Sequence, residues 1–144
     1  MPSEAIVIAS DHAGYELKEV LKQELTAMGY QVLDLGTGST ESVDYPDFGR
    51  AAAEAIADGR SSRGIIVCGT GIGIAIAANR HPGIRAALCH DVETARLGRE
   101  HNDANLLALG GRTTDPETAK ACLKTFLETP YDGGRHEPRV AKLA

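Results

Sequence analysis

The sequence predicts an α/β fold: a Rossmann-like, three-layer α/β/α sandwich around a five-stranded, doubly wound parallel sheet, with an extra C-terminal helix. Two observations predict it. Five short apolar runs alternate with five segments of helical periodicity, which is the pattern of parallel strands joined by right-handed crossovers. Sixteen glycines and few aromatic residues among the 144 fit many tight turns between strands and helices. At this length we expect one domain over residues 1–144.

The predicted strands are short runs of aliphatic and β-branched residues, which suits strands buried on both faces. The clearest of them leads directly from a run of three β-branched residues into a glycine-rich loop. No internal repeat or linker interrupts the spacing of the runs. The five strands are predicted at residues 5–9, 31–35, 65–68, 84–89 and 105–109.

The first three helices are placed by apolar spacing and by residues that start or stop a helix. The first is expected to end at Gly29, because glycine commonly terminates helices. The second opens at residues 44–47 and ends near Gly59, and the third runs from the glycine-rich loop to Asn79. The apolar face of the first helix consists of Leu17, Val20, Leu21, Leu25 and Met28.

Capping residues locate the next two helices. Asp91 is placed to cap a fourth helix that ends near Glu100, so residues 101–103 are predicted as a polar turn. The pair Asp115 and Pro116 combines a capping side chain with proline at the first helical position, which is a strong start for the fifth helix. That helix is predicted to bury Ala119, Cys122, Leu123, Phe126 and Leu127.

The tail of the chain is predicted to form a last short helix. Residues 130–134 break the chain, and the helix after them carries Val140 and Leu143. Arg135 and Arg139 are four residues apart and share one face of a helix. Pro138 is tolerated in a first helical turn, so the spacing of the two arginines survives if this helix starts near Arg135. An earlier start would argue against a shared phosphate role for them.

Composition and charge exclude several classes of function. A net charge of −5 and a pI near 5.5 argue against a nucleic-acid partner, which requires a basic surface. No apolar run approaches the ~20 residues of a membrane span, so no membrane partner is expected. The start of the chain lacks a basic-then-apolar signal, which predicts a cytoplasmic protein. Three cysteines without CxxC or Cys/His finger spacing fit neither a disulfide scaffold nor structural zinc.

Polar residues follow four of the predicted strands at their carboxyl ends, where folds of this class bind ligands. Asp11 and His12 follow the first strand and residues 68–73 follow the third. Residues 90–91 follow the fourth strand and Arg112 follows the fifth. We therefore expect the functional site at this edge of the sheet.

Residues 68–73 join a strand end, a glycine loop and a helix start. Free backbone N–H groups and the helix dipole make such a corner suitable for an anion. The loop matches neither a dinucleotide fingerprint nor a P-loop, and a tight turn without a ligand is the alternative. Cys68 lies beside the helix N-terminus, a setting that favours a thiolate, whereas Cys89 and Cys122 are expected to be core residues.

Other polar side chains have both a functional and a structural interpretation. Asp11 could contribute to chemistry or could cap the first helix. His101 could be an acid or base, or a surface histidine at a helix end. The two tail arginines, with Arg112 and His12, could form a cationic pocket for a phosphate dianion. The alternative for the tail is an ordinary solvated basic surface.

Motifs along essentially the whole chain resemble the type B ribose-5-phosphate isomerase family in order and spacing. The glycine loop would be modest evidence by itself. Together with the Glu-His-Asn segment and the Gly-Gly-Arg-His-x-x-Arg tail it is specific. The matching segments are residues 10–14, 44–46, 68–73, 77–79, 83–86, 99–102 and 133–140.

The resemblance implies an enzyme that interconverts ribose 5-phosphate and ribulose 5-phosphate through an enediolate, without a metal or cofactor. It implies Cys68 as the base that moves a proton between carbons 2 and 1. Other members use a glutamate at a position that is Ile74 here. Asp11 and His101 would open the sugar ring, and Thr70 with backbone N–H groups would hold the enediolate. Those N–H groups belong to Gly69, Gly71, Ile72, Gly73 and Ile74.

The resemblance also implies how the rest of the substrate is held. Tyr45 and Asn102 would contact sugar hydroxyls. The phosphate would be held by four side chains, His12, Arg112, Arg135 and Arg139. In this family the His-Asn segment of one subunit faces the glycine loop of another, so a homodimer or a dimer of dimers with shared active sites is implied.

Two alternative functions stay open at this point. The first is isomerisation of another phosphosugar, such as allose 6-phosphate, galactose 6-phosphate or a tetrose phosphate. The distance from phosphate to base would distinguish these substrates, and a sequence does not give that distance. The second is a non-catalytic phosphometabolite-binding domain, since fold does not dictate function. The presence of Cys68, Thr70 and His101 together disfavours a pure binder, which needs no base.

Overall fold

The computed structural model describes residues 4–144, so residues 1–3 of the predicted domain lie outside the described part. The strands are β1 (Ala5–Ser10), β2 (Gln31–Asp34), β3 (Gly64–Cys68), β4 (Ala86–Leu88) and β5 (Leu106–Gly110). The helices are α1 (Tyr15–Ala27), α2 (Tyr45–Ala57), α3 (Ile72–Asn79), α4 (Val92–Asn102), α5 (Pro116–Glu128) and α6 (Glu137–Ala141), with a 3₁₀ turn at Gly134–His136 before α6.

The five strands form one parallel sheet in the order β2-β1-β3-β5-β4. Helices α1, α4 and α5 pack on one face, and α2 and α3 on the other, which confirms the predicted three-layer fold. The chain leaves β1 toward one edge of the sheet and β3 toward the other. The carboxyl ends of these two strands therefore flank the switch point where such folds bind ligands. Within residues 4–144, no helix is both long and apolar enough to cross a bilayer.

Strand β3 is buried on both faces, as its apolar run predicts. Ile65 packs on the α1 side of the sheet and Ile66 on the α2 side. Each fully buried isoleucine contributes roughly 1.5–3 kcal/mol of hydrophobic free energy. Gly64 begins the strand because a Cβ there would lie 2.5 Å from the carbonyl oxygen of Val7. The close approach of β1 and β3 brings their carboxyl ends together at the switch point.

Strand β4 is shorter than predicted. The expected range was residues 84–89, but only Ala86–Leu88 pair with β5. The N–H of Arg85 donates instead to the side-chain oxygen Oδ1 of Asn105 at 2.8 Å. A side chain thus replaces a strand partner at this edge, which the apolar pattern of the segment does not reveal.

The polar turn predicted at residues 101–103 is wrong for its first two residues. His101 and Asn102 form the last turn of α4, and Asp103 ends the helix with a φ of 48°. Arg99 stabilises this end, because its guanidinium donates to Asp103 Oδ1 at 3.0 Å and to the carbonyl oxygen of Ala104 at 2.6 Å. Since α4 runs antiparallel to the strands, its last turn lies at the amino edge of the sheet.

The predicted C-terminal helix is present as the 3₁₀ turn followed by α6. Arg135 lies in the 3₁₀ turn and Arg139 in α6. Pro138 occupies the first turn of α6, where its missing N–H removes no helical hydrogen bond. The prediction that this helix carries Leu143 is wrong, because Leu143 lies beyond its end and is 60% exposed.

An ion pair at the amino edge of the sheet makes stability depend on pH. Arg63 donates two hydrogen bonds of 2.8 Å to the Glu4 carboxylate and one of 2.7 Å to the carbonyl oxygen of Leu127. The hydrogen bond from Arg63 holds the pKa of Glu4 below its ordinary value of 4.5. A lowered carboxyl pKa stabilises the folded state above the unfolded-state pKa, and this stability is lost as pH falls through the folded-state pKa.

We expect the wild type to lose stability on acidification that a Glu4→Gln variant does not lose. Between about pH 6 and about pH 3 the difference should be about 0.5–1 kcal/mol, because the carboxylate is partly exposed and solvent screens the pair. Urea unfolding of both proteins at the two pH values measures it. An identical pH dependence in the two proteins would contradict a stabilising role for the charged pair.

Candidate active site

A cleft of about 450 Å³ opens at the carboxyl edge of the sheet. It collects the segments that follow β1, β3 and β5, which is where the switch-point rule places a ligand site. Ala13 and Ile76 contribute to its walls. The lining residues that the sequence predicts for the site are Asp11, His12, Tyr45, Cys68, Gly69, Thr70, Ile72, Gly73 and Arg112.

Cys68 ends β3 and lines this cleft. The residue is 4% exposed, and the backbone N–H of Gly71 donates to its Sγ at 3.2 Å. Gly71 has a φ of +80°, a left-handed conformation that glycine adopts without steric cost. The turn therefore aims an N–H group at the sulfur. A donor in this position stabilises negative charge on sulfur, and the thiolate is the reactive form.

The other two cysteines are core residues, as predicted. Cys89 and Cys122 are buried, and burial raises the pKa of both thiols, that of Cys122 to about 11. Both stay protonated at neutral pH. Of the three cysteines, Cys68 therefore has the surroundings of a base.

The first turn of α3 offers backbone N–H groups to an anion. The N–H of Ile72 donates to Thr70 Oγ1 at 3.2 Å, and that of Gly71 donates to the thiol, so two of the predicted donors already have partners. Within residues 4–144, the N–H groups of Gly73 and Ile74 have no acceptor. The helix dipole adds partial positive charge at the same place. This corner can stabilise an oxyanion.

Arg112 brings a full positive charge to the glycine loop. Its backbone N–H donates to the carbonyl oxygen of Gly69 at 2.8 Å, and the N–H of Gly111 donates to that of Cys68 at 2.8 Å. These bonds fasten the segment after β5 to the segment after β3. A Cβ on Gly69 would lie 3.2 Å from Nη1 of Arg112, so the missing side chain allows the guanidinium to lie against the loop.

Asp11 and His12 are both held by backbone N–H groups. Asp11 is buried and lines the cleft, and its Oδ1 accepts the N–H of Gly14 at 3.0 Å in the turn that precedes α1. It does not cap the helix itself, because the N-cap of α1 is Gly14 and no side chain of the described residues bonds to the first helical N–H groups. Nδ1 of His12 accepts the N–H of Val43 at 3.1 Å. A neutral imidazole that accepts at Nδ1 carries its proton on Nε2. His12 thus has an Nε2–H donor for a bound anion.

Tyr45 lies over the glycine at the start of α3. A Cβ on Gly73 would lie 2.4 Å from Cε1 of the Tyr45 ring, so the ring rests directly on the backbone. Tyr45 is otherwise exposed and begins α2. This contact sets the height of the phenol above the cleft.

Gly73→Ala should displace the Tyr45 ring and weaken substrate binding. Since the ring is exposed on its other side, it can swing away, and the free energy of unfolding should change little. We expect KM for the sugar phosphate that the resemblance implies to rise about fivefold to tenfold, the cost of a lost hydrogen bond of about 1–1.5 kcal/mol. Steady-state kinetics measures it, with Gly38→Ala as control, since a Cβ there meets no atom within 4 Å. An unchanged KM in Gly73→Ala would contradict a role for the ring in binding.

Six predicted site residues do not line this cleft within one chain. Two of them, Gly71 and Ile74, belong to the adjoining glycine loop and α3, and the Ile74 side chain is buried in the core. The other four lie elsewhere. His101 and Asn102 end α4 at the opposite, amino edge of the sheet. The His101 ring stacks on His136, with centroids 4.4 Å apart and planes 16° from parallel, so the tail lies at that edge too. Arg135 and Arg139 belong to the same tail. One chain therefore presents two separated halves of the predicted site.

Sequence profiles and solved structures decide the family. A profile described as Ribose/Galactose Isomerase matches residues 6–143. The chain belongs to this family. Ribose-5-phosphate isomerase B of Escherichia coli is 44% identical over 138 residues, 96% of this chain and 93% of that protein. D-erythrulose-4-phosphate isomerase of Pectobacterium atrosepticum is 41% identical over 140 residues, 96% and 92% of the two chains. The ribose-5-phosphate isomerase B of Clostridium thermocellum has a TM-score of 0.96 at 52% identity, over 96% of this chain and 94% of that one.

Membership in the ribose/galactose isomerase family confirms the resemblance read from the motifs. Two features near the predicted site residues were not predicted from the residue patterns. His136 is buried, and burial together with the charges of His101 and Arg135 lowers its pKa, so it is a neutral neighbour for His101. The N–H of Val43 fixes the tautomer of His12. His136 belongs to the tail motif, which could have indicated the first feature. The backbone N–H of Val43 leaves no pattern in the sequence that would indicate the second.

One group of side chains has the composition of a metal site. Nitrogen or carboxylate atoms of His101, Asp132 and His136 lie within 4.8 Å of one another. The two imidazoles are stacked, however, and stacked rings point their in-plane lone pairs in parallel rather than converging directions. Zinc or another divalent ion requires ligand atoms that converge on one point. We therefore assign no metal to this group.

Proposed function

We propose that the protein is an aldose–ketose isomerase that interconverts ribose 5-phosphate and ribulose 5-phosphate through an enediolate. The observation that carries the proposal is the position of Cys68, whose sulfur lies at the cleft with a backbone donor 3.2 Å away. A base beside free N–H groups is what proton transfer next to a carbonyl requires. The E. coli and C. thermocellum relatives are named for this substrate.

The proposed reaction uses the Cys68 thiol as the base and the N–H groups at the start of α3 as oxyanion donors. The Cys68 thiolate takes the proton from carbon 2 of the open-chain aldose and returns it to carbon 1, while the hydroxyl proton on oxygen 2 moves to oxygen 1. Charge develops on the sugar oxygens, which lie against the N–H groups of Gly73 and Ile74 and the hydroxyl of Thr70. Preorganised donors of this kind contribute roughly 3–4 kcal/mol each to stabilising an oxyanion. The nearby Arg112 guanidinium lowers the cost of the negative charge further.

We propose that the active site is completed by a second copy of the chain. His101 and Asn102 of one chain would face the cleft of its partner, where His101 and Asp11 open the sugar ring. The phosphate would be held by His12 and Arg112 of one chain and by the two tail arginines, Arg135 and Arg139, of the other. The separation of these groups within one chain supports a shared site.

The exposed face of α3 supports the same proposal. Ile72 and Ile76 lie four residues apart on one side of the helix and are 52% and 54% exposed. Both line the cleft, and they also form a neighbouring groove with Leu88. An apolar face of this size next to a binding site is typical of a subunit interface. A two-fold axis near α3 would bury this face and bring each cleft close to the partner.

A coupled assay of the purified, chelator-treated protein tests the function. We expect the highest kcat/KM for ribose 5-phosphate among a panel that includes allose 6-phosphate, galactose 6-phosphate and erythrulose 4-phosphate. Absence of turnover with every sugar would reject an isomerase and favour a phosphometabolite-binding domain. A higher kcat/KM for another member of the panel would reject the substrate and keep the reaction.

A tetrose phosphate is the second candidate substrate. The observation that favours it is the P. atrosepticum relative, which is named for erythrulose 4-phosphate and is about as similar to this chain as the E. coli enzyme. A shorter sugar would require the phosphate-binding side chains to lie closer to the Cys68 thiol. The same panel of sugars distinguishes the two candidates.

A further inference from the structure

A buried lysine behind the cleft has no part in the chemistry described above. Lys18 lies on α1 and is 1% exposed, although its neighbours in the helix pattern are leucines. Its Nζ donates to Asp34 Oδ1 at 2.7 Å, to Asp34 Oδ2 at 2.9 Å and to the carbonyl oxygen of Thr37 at 2.7 Å. An ammonium group is costly to bury unless it is paired, and here its charge is met by a carboxylate and a carbonyl.

These bonds fix the segment that follows β2. Asp34 ends the strand and also accepts hydrogen bonds from Lys22 Nζ at 2.7 Å and from the N–H of Gly36 at 2.9 Å. Burial alone would raise the pKa of Asp34, but the hydrogen bonds from Lys18, Lys22 and Gly36 lower it, so the carboxylate stays charged. The start of this segment is therefore a rigid ionic anchor.

Hydrogen bonds join the anchored segment to the residues after β1 that line the cleft. The N–H of Ser10 donates to the carbonyl oxygen of Gly36 and that of Thr37 to Ser10, both at 2.8 Å, directly before Asp11 and His12. Further along, the N–H of Val43 donates to Nδ1 of His12. The segment then enters α2 at Tyr45. Residues 38–42 between these points are exposed, so the segment is held mainly at its ends.

We propose that Lys18 is a positioning residue for the isomerase: by anchoring residues 34–37 it holds the Val43 N–H against His12 and keeps the Nε2–H of His12 directed at the substrate phosphate. The inference rests on the proposed function for the identity of the substrate. The positioning of His12 does not depend on which substrate binds, because His12 should lose its fixed tautomer whenever the anchor is removed.

The test compares Lys18→Met with Lys22→Met. Methionine fills the buried space of Lys18 without a charge, whereas Lys22 is partly exposed, bonds only to the two carboxylates Asp34 and Glu19 among the described residues and makes no contact with Thr37. Three quantities are measured in each: the ¹⁵N chemical shifts of the His12 ring, the inhibition constant of inorganic phosphate, and KM and kcat for ribose 5-phosphate. We expect Lys18→Met to mix the two tautomers of His12 and to raise the phosphate inhibition constant and KM about tenfold, with kcat changed less than about threefold, as for one lost charge-assisted hydrogen bond. Lys22→Met removes one bond to Asp34 but none to Thr37, so it should keep a single His12 tautomer and change the phosphate inhibition constant and KM less than about threefold.

The outcomes separate the inference from the function. If folded Lys18→Met keeps the His12 shifts and the phosphate inhibition constant of the wild type, Lys18 is a structural residue and the inference is wrong. If Lys18→Met does not fold, Asp34→Asn is measured in the same way, and it must shift the His12 tautomer for the inference to stand. If no sugar is turned over but Lys18→Met still shifts the tautomer, the proposed substrate is wrong and the positioning role remains.

Discussion

Cys68→Ala should lower kcat for ribose 5-phosphate by about 10²–10⁴-fold, the contribution of a positioned general base. The loss should be in kcat, because the thiolate acts on the carbon-bound proton while the phosphate and hydroxyl contacts that set binding remain. The free energy of unfolding should change little, since the side chain is small and lines a cleft. Steady-state kinetics and urea unfolding of the variant measure both quantities.

Cys89→Ala is the matched control for this substitution. Cys89 is buried, burial raises the pKa of its thiol, and it lies on the opposite face of the sheet from Cys68. Its removal should leave kcat within about twofold of the wild type, at a modest cost in stability. Full activity in Cys68→Ala would reject the thiol as the base while leaving the fold and family untouched.

The glycine loop shows which part of the site the sequence predicts. A β-branched run followed by alternating glycines predicted the strand, the turn and the helix start, and each glycine has a separate physical reason. Gly69 allows Arg112 to lie against the loop, Gly71 takes a left-handed φ that aims its N–H at the thiol, and Gly73 receives the Tyr45 ring. The pattern showed where small residues were needed but not which groups they admit.

Tertiary contacts explain what the sequence could not predict. The apolar spacing of α1 does not include Lys18, because periodicity treats every lysine as polar, and only its partners after β2 reveal why it is buried. Helix α4 runs further than its apolar pattern, and Arg99 joins its end to the Asp103 carboxylate and to the carbonyl oxygen of Ala104 just beyond it. That extension places His101, a predicted site residue, at the amino edge of the sheet. Periodicity predicts helices, strands and their buried faces, whereas contacts of this kind depend on which elements pack against each other.

The distribution of site residues over two edges of the sheet leads to the second large effect. If each active site takes Cys68 from one chain and His101 from its partner, then Cys68→Ala and His101→Asn homodimers each have two defective sites. A heterodimer of the two variants has one site with both substitutions and one site with neither. Random exchange of equal amounts makes half of the dimers heterodimers, so activity should rise to about a quarter of the wild-type rate in a symmetric two-site dimer.

The experiment mixes the two inactive variants under mild denaturant, removes it, and follows isomerase activity with time. Each variant alone, treated identically, should stay about 10²–10⁴-fold below the wild type, because each lacks an acid or base. The control mixes Cys68→Ala with Thr70→Ala: both substitutions lie in the same half-site, so each heterodimer site keeps one of them and activity should not recover. Recovery in the first mixture but not in the second requires the thiol and the imidazole to come from different chains. Equal failure of both mixtures, with exchange verified by mass spectrometry, would reject a site that combines Cys68 of one chain with His101 of its partner.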